Sequence, residues 1–100
     1  MVSRPAPDTL LPDTLMWEVR AVPGALDELL AWVERQLAER GAGADVYLAA
    51  DDRIVVILRT TDGGGAPVRL PEPPAGLLAR PVHQWPFAFH CRVEPGPPAK

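Results

Sequence analysis

The chain has 100 residues, 47% of them hydrophobic and 23% charged, with a formal charge of −3. That is the profile of one soluble globular domain. It contains no run of eighteen apolar residues to cross a membrane, and its acidic balance argues against general nucleic-acid binding, which needs clustered cations against phosphate. The only cysteine, Cys91, makes no internal disulfide, as expected of a reducing compartment. Nine of the ten basic residues are Arg. That bias suggests a GC-rich genome and, with no apolar signal stretch in "MVSRPAPDTLLPDTL", a bacterial cytoplasmic protein.

Prolines crowd both ends. Pro5, Pro7 and Pro12 lie in the head and Pro95, Pro97 and Pro98 in the tail. Residues 1–14 and 95–100 therefore read as poorly ordered extensions around a single domain over residues 15–94. The head repeats "PDTL", and Met16 stands just before the first clear strand. This raises the expectation that Met16 is a usable start and residues 1–15 are dispensable.

"LMWEVRAV", Leu15 to Val22, alternates. Leu15, Trp17, Val19 and Ala21 share one face; Met16, Glu18, Arg20 and Val22 share the other. "PGALDELLAWVERQLAERG" follows as a helix. Leu26, Leu29, Leu30, Val33 and Leu37 form one stripe, Asp27 and Glu28 lie in the first turn and Arg40 in the last, and Gly41 supplies the left-handed end. "DVYLAA", Asp45 to Ala50, and "IVVILRT", Ile54 to Thr60, make a hairpin around Asp51-Asp52. The second of these is apolar on both faces, as a central strand should be.

"DGGGAP" reads as a loop. The Gly63-Gly64-Gly65 run lacks the Lys-Ser/Thr ending of a phosphate loop. A short helix is expected near Pro74–Arg80, bounded by prolines, and a final strand over Trp85–Val93. In that strand Trp85, Phe87, Phe89, Cys91 and Val93 should face the core, and His90 and Arg92 should point away. Pro86 marks it as an edge.

The order β-α-β-β-(short α)-β is the ferredoxin-like α+β pattern: an antiparallel sheet, helices on one face, strands 1 and 3 central. The other face would collect Glu18, Arg20, Tyr47, Arg59, His90 and Arg92 around Met16, Val55 and Ile57. That face is too apolar to stay bare, and a core this small is stabilised only weakly. Both points suggest a homodimer packed sheet to sheet. Glu18 and Arg20 would pair with Arg92 or Arg59, and Trp17, Trp32 and Trp85 are expected as core aromatics.

"WEVRAVPGALDELLAWVER" with "ADVYLAADDRIVVILRT" resembles the first half of the dimeric α+β barrel proteins, the antibiotic-biosynthesis-monooxygenase-like group. The resemblance covers Trp17 to Thr60: a strand ending at a Pro-Gly turn, an amphipathic helix, and a hairpin with a Tyr in its first strand. The group's second long helix is reduced here to a Pro-rich segment. The resemblance implies a sheet-to-sheet dimer and either a cofactor-free oxygenase, a haem-degrading enzyme or a protein without activity.

Two functions follow as expectations. One is a non-catalytic small-molecule-binding or interaction module that uses the open face to dimerise. The alternative is a cofactor-free monooxygenase-like enzyme acting on an aromatic or polyketide-like compound. In the enzyme, His90 would be base or ligand contact, Tyr47 a hydrogen-bond donor, and Arg20 or Arg92 an anion clamp. No catalytic constellation is complete, which favours the module. His83 and His90 differ in parity and no ligand motif is present, so neither metal nor cofactor is expected. An RNA-recognition domain would need aromatics on the third strand, and a metal-transport domain paired cysteines near "VPGALDE"; neither is present. A regulatory domain binding a small ligand near Pro23-Gly24 fits the same order.

Overall fold

The structure, a computed structural model, describes residues 12–60 and 67–98. Its elements are β1 (Thr14–Arg20), α1 (Leu26–Glu39), β2 (Gly43–Ala49), β3 (Arg53–Arg59), a 3₁₀ turn (Ala75–Leu77) and β4 (His83–Phe87). The four strands form one antiparallel sheet in the order β2-β3-β1-β4. The doubly apolar "IVVIL" therefore lies inside the sheet. This is an α+β architecture with one α-helix, so it meets the ferredoxin-like expectation only loosely.

The core follows from strand parity. Leu15, Trp17 and Val19 of β1, Ala21 just after it, and Ile54, Val56 and Leu58 of β3 are all buried toward the helix. The α1 stripe Leu29, Trp32 and Val33 closes over them. Trp17 and Trp32 stack with ring centroids 6.5 Å apart and planes 22° from parallel, a geometry favoured by the ring quadrupoles.

The helix ends where the sequence supplies the chemistry. Before α1, Val22-Pro23-Gly24-Ala25 forms a turn closed by Ala25 N–H donating to Val22 O at 3.0 Å. Proline presets the second position, and Gly24 at φ +85° occupies the third, where a side chain would be strained. After α1, Gly41 at φ +59° lets its N–H reach Ala38 O and the Ala42 N–H reach Leu37 O. This paired closure satisfies carbonyls the helix leaves open. Arg40 caps the helix instead of lying in its last turn.

The second half departs from expectation. Residues 74–80 hold a three-residue 3₁₀ turn, not an α-helix: Leu78 is already extended (φ −100°, ψ 130°), and the segment bonds to the end of β1 instead of continuing its own ladder. Val22 N–H donates to Leu77 O, and Ala79 N–H donates to Arg20 O. Residues 77–79 thus lie beside the end of β1, and β4 takes up the same edge after a break at residues 80–82.

The last strand is His83–Phe87, not Trp85–Val93. The ladder stops at Phe87, whose carbonyl accepts the Asp13 N–H; the next inward amide, that of Phe89, donates to the Asp13 side chain instead of to backbone. The strand's faces are also reversed. Trp85 opposes Met16, Phe87 opposes Thr14, and Pro86 opposes the core residue Leu15. Trp85 and Phe87 are 44% and 49% exposed, and Phe89, Cys91 and Val93 are exposed outside any strand. Leu70, Leu77, Leu78 and Val82 join the core cluster in their place.

The expected Met16 start meets the fold directly. Leu15 is a core side chain, Asp13 N–H donates to Phe87 O, and Asp13 O accepts from Thr60 N–H. A chain starting at Met16 would lack all three. The Gly63–Gly65 loop and the first eleven residues lie outside the described residues. Among the described residues, no helix is long and apolar enough to cross a membrane.

Candidate functional site

The sheet face away from α1 can be read row by row from the registers. Gly43, Arg59, Thr14 and Phe87 form one end. Asp45, Ile57, Met16 and Trp85 come next, then Tyr47, Val55, Glu18 and His83. Ala49, Arg53 and Arg20 close the far end. Met16, Val55 and Ile57 are half-buried along the middle, while Tyr47, Trp85 and Phe87 stand exposed beside them. The result is an apolar belt with charge at both ends.

Glu18 anchors the far end, with its side chain only 13% exposed. Its carboxylate accepts a hydrogen bond from Arg80 Nη2 at 2.7 Å and a longer one from Arg53 Nη1 at 3.5 Å. His83 Nδ1 lies 3.9 Å away, and the His83 ring meets Trp85 edge to face. Each position has a local cause. His83 is directly opposite Glu18 across β1 and β4. Arg53 is diagonal to it on β3, within reach of a long side chain. Arg80 enters at the break between residues 77–79 and β4, and its buried Nε has no acceptor within hydrogen-bonding distance among the described residues.

The opposite end is bordered by the segment after β4. Asp13 Oδ1 accepts the Phe89 N–H at 2.8 Å and the Thr14 hydroxyl at 3.0 Å. The Phe89 amide is the main cause holding the Asp13 carboxyl below its ordinary value, with desolvation opposing it and Thr14 assisting. This anchor turns the chain across the end of the sheet. A shallow groove of about 240 Å³ lies there, lined by Asp13, Thr14, Arg59, Thr60, Phe89 and Arg92. Arg59 also pairs with Asp45 across β2 and β3.

The expected site residues therefore separate. Glu18, Arg20, Tyr47 and Arg59 share the open face by parity, but Glu18 and Arg59 lie at opposite ends of it. Arg59 and Arg92 meet at the groove. His90 and Arg92 lie outside β4, so neither belongs to the strand-4 face expected for them. Glu18 pairs with Arg53 and Arg80, not with Arg59 or Arg92. The histidine beside Glu18 is His83, not His90.

Sequence reasoning missed Arg53, Arg80 and His83. His83 shares parity with Trp85 and Phe87, so assigning those aromatics to the open face would have brought it along. The apolar Leu70, Leu77, Leu78 and Val82 were the available signal that the core was already supplied. Arg80 carried none, because its reach depends on an irregular break.

Chemically, Glu18 is held among cations, and Arg59 and Asp13 are each engaged by a neighbour. Among the described residues, no group of three or more His, Cys, Asp or Glu is placed to hold a metal ion. Comparison with known protein families, curated proteins and solved structures finds no match to this chain.

Proposed function

We propose that this chain is a homodimeric, non-catalytic interaction module of ferredoxin-like topology, whose open sheet face packs against that of a second copy. The observation that carries this reading is the apolar belt. Tyr47, Trp85 and Phe87 are about half exposed beside Met16, Val55 and Ile57 on a face that no helix covers among the described residues. Exposed apolar surface of this kind, rimmed by charge, marks an interaction site. The resemblance of residues 17–60 to dimeric α+β barrels supports the same reading. The groove beside Arg59 and Arg92 gives the module a place for a small molecule at one end of the interface.

The non-catalytic part rests on the charged side chains. Glu18, Asp13 and Arg59 are engaged by neighbours in roles that position the fold, and His90 lies away from all the Glu18 contacts. Light scattering over a concentration series tests the proposal, with Trp85→Lys as the control. Trp85 stands on an edge strand and is 44% exposed, so a lysine there can reach water without burying its charge. The native chain should scatter at twice its mass of 10.8 kDa. The variant should be monomeric with an unchanged far-ultraviolet spectrum. A native monomer at every concentration overturns the proposal.

A further inference from the structure

We infer that residues 88–93, the arm that leaves β4, form a clasp that packs on the second copy. This rests on the open-face reading above.

The arm has strand chemistry but no strand. Phe87, Phe89, Cys91 and Val93 alternate with Ala88, His90 and Arg92, the period of a half-buried strand. Yet the ladder ends at Phe87, and Phe89 and Val93 are left 61% and 86% exposed. Alternating apolar side chains held in water on an unladdered backbone lack the packing that gives this pattern its value. A surface outside this chain can supply it.

Position identifies the occupant. Phe89 N–H is fixed to Asp13, and Phe89 and Arg92 line a groove with Arg59 and Thr14, which belong to the open face. The arm is therefore a rim of that face, and a body seated on the face meets the arm as well. Four strands about 4.8 Å apart, with seven residues at about 3.4 Å each, give a face on the order of 450 Å² in plan. A stable interface takes about 800 Å² from each partner. The arm enlarges the face toward that size.

Charge favours an identical copy over a foreign partner. Each end of the face carries both signs: Arg59 with Asp45 and Asp13 at one, Arg53 and Arg80 with Glu18 at the other. A face built for a strongly charged partner would present one sign. A mixed face can meet itself in a two-fold arrangement.

Cys91 is the only cysteine in the chain and lies in the middle of the arm, so its thiol reports the clasp without any substitution. The test is the rate of its reaction with a disulfide reagent, measured on the full chain across a dilution series with molar mass followed in parallel. The clasp predicts a thiol at least about tenfold slower in the dimer than in urea, as burial in a cooperative interface requires. The thiol should return to the unfolded rate when dilution gives monomer. A dimer whose Cys91 reacts at the unfolded rate overturns the clasp and leaves the open-face dimer standing. A chain monomeric throughout overturns the open-face reading, and the clasp with it. A slow thiol in that monomer would place the arm on its own chain, which also overturns the clasp. A second variant, Phe89→Ser with Val93→Ser, keeps the thiol and should raise the dimer dissociation constant at least about tenfold. An unchanged constant contradicts the clasp.

Discussion

Glu18 gives the sharpest quantitative prediction, because its two arginine partners differ in a measurable way. Arg80 donates at 2.7 Å and Arg53 at 3.5 Å, the outer limit of a hydrogen bond. Their side chains are 33% and 37% exposed, so water screens both alike. Charge-assisted bonds in enclosed sites contribute about 1.5–3 kcal/mol, and exposed pairs about 0.2–1 kcal/mol. An almost buried carboxylate facing half-exposed cations falls between these ranges. The Glu18–Arg80 coupling is therefore expected near 1 kcal/mol, and Glu18–Arg53 at about a few tenths. Double-mutant cycles in urea, with alanine at each position and both together, measure these terms directly. Protein concentration should be kept where the chain is monomeric. Raising the salt to about 1 M should reduce the Arg80 coupling only in part, since the carboxylate is shielded from ions. A larger coupling to Arg53 than to Arg80, or none to either, would refute this account of the charged end.

Other outcomes follow from the same structure. Trp17→Ala, which removes a core indole stacked on Trp32, should cost about 3–5 kcal/mol, enough to leave a domain of this size partly unfolded; the midpoint of thermal unfolding checks it. A chain beginning at Met16 lacks Leu15 and the Asp13 bonds to Phe87, Thr60 and Phe89, so its loss of stability in urea should exceed about 2 kcal/mol. For Asp13, the folded carboxyl titrates below its ordinary value of 3.8. Its stabilising contribution is thus present above that value and is lost as pH falls through the lower folded one. The Phe89 amide shift in NMR should follow that titration, and a folded carboxyl titrating at or above 3.8 would contradict the bond that anchors the arm.

Much of this fold is written locally in the sequence. Pro23-Gly24 and Gly41 bracket α1 because only those backbones make the turn and the helix end. Alternation in "LMWEVR" separates Trp17 from Glu18, and a β3 run apolar on both faces must be internal. The last strand is different. Alternation shows that "HQWPFAF" has two faces, but not which of them is covered. That depends on where Leu70, Leu77, Leu78 and Val82 pack, all of them far along the chain from the core strand β1 (Thr14–Arg20). Strand length was equally hidden, because the ladder ends where the Phe89 N–H turns to the Asp13 side chain, a contact that depends on register.

The candidate site divides along the same line. Parity within one strand groups Glu18 with Arg20, Tyr47 with Ala49, and Arg59 with Ile57. Contacts between strands need register, and the contact from Arg80 needs the break at residues 80–82 as well. The charged end is therefore visible only once the chain is folded, while of the apolar belt Met16, Tyr47, Val55 and Ile57 can be read from the strands themselves and Trp85 and Phe87 cannot.

The proposed dimer brings the open face of one copy against the same face of a second. Isotope-filtered NOE spectra of a mixed dimer, one copy labelled and the other not, test it most directly. Intermolecular contacts are expected from the methyl groups of Met16, Val55 and Ile57 and from the Trp85 ring. Intermolecular contacts confined to α1, or a dimer with none on these four residues, would contradict it.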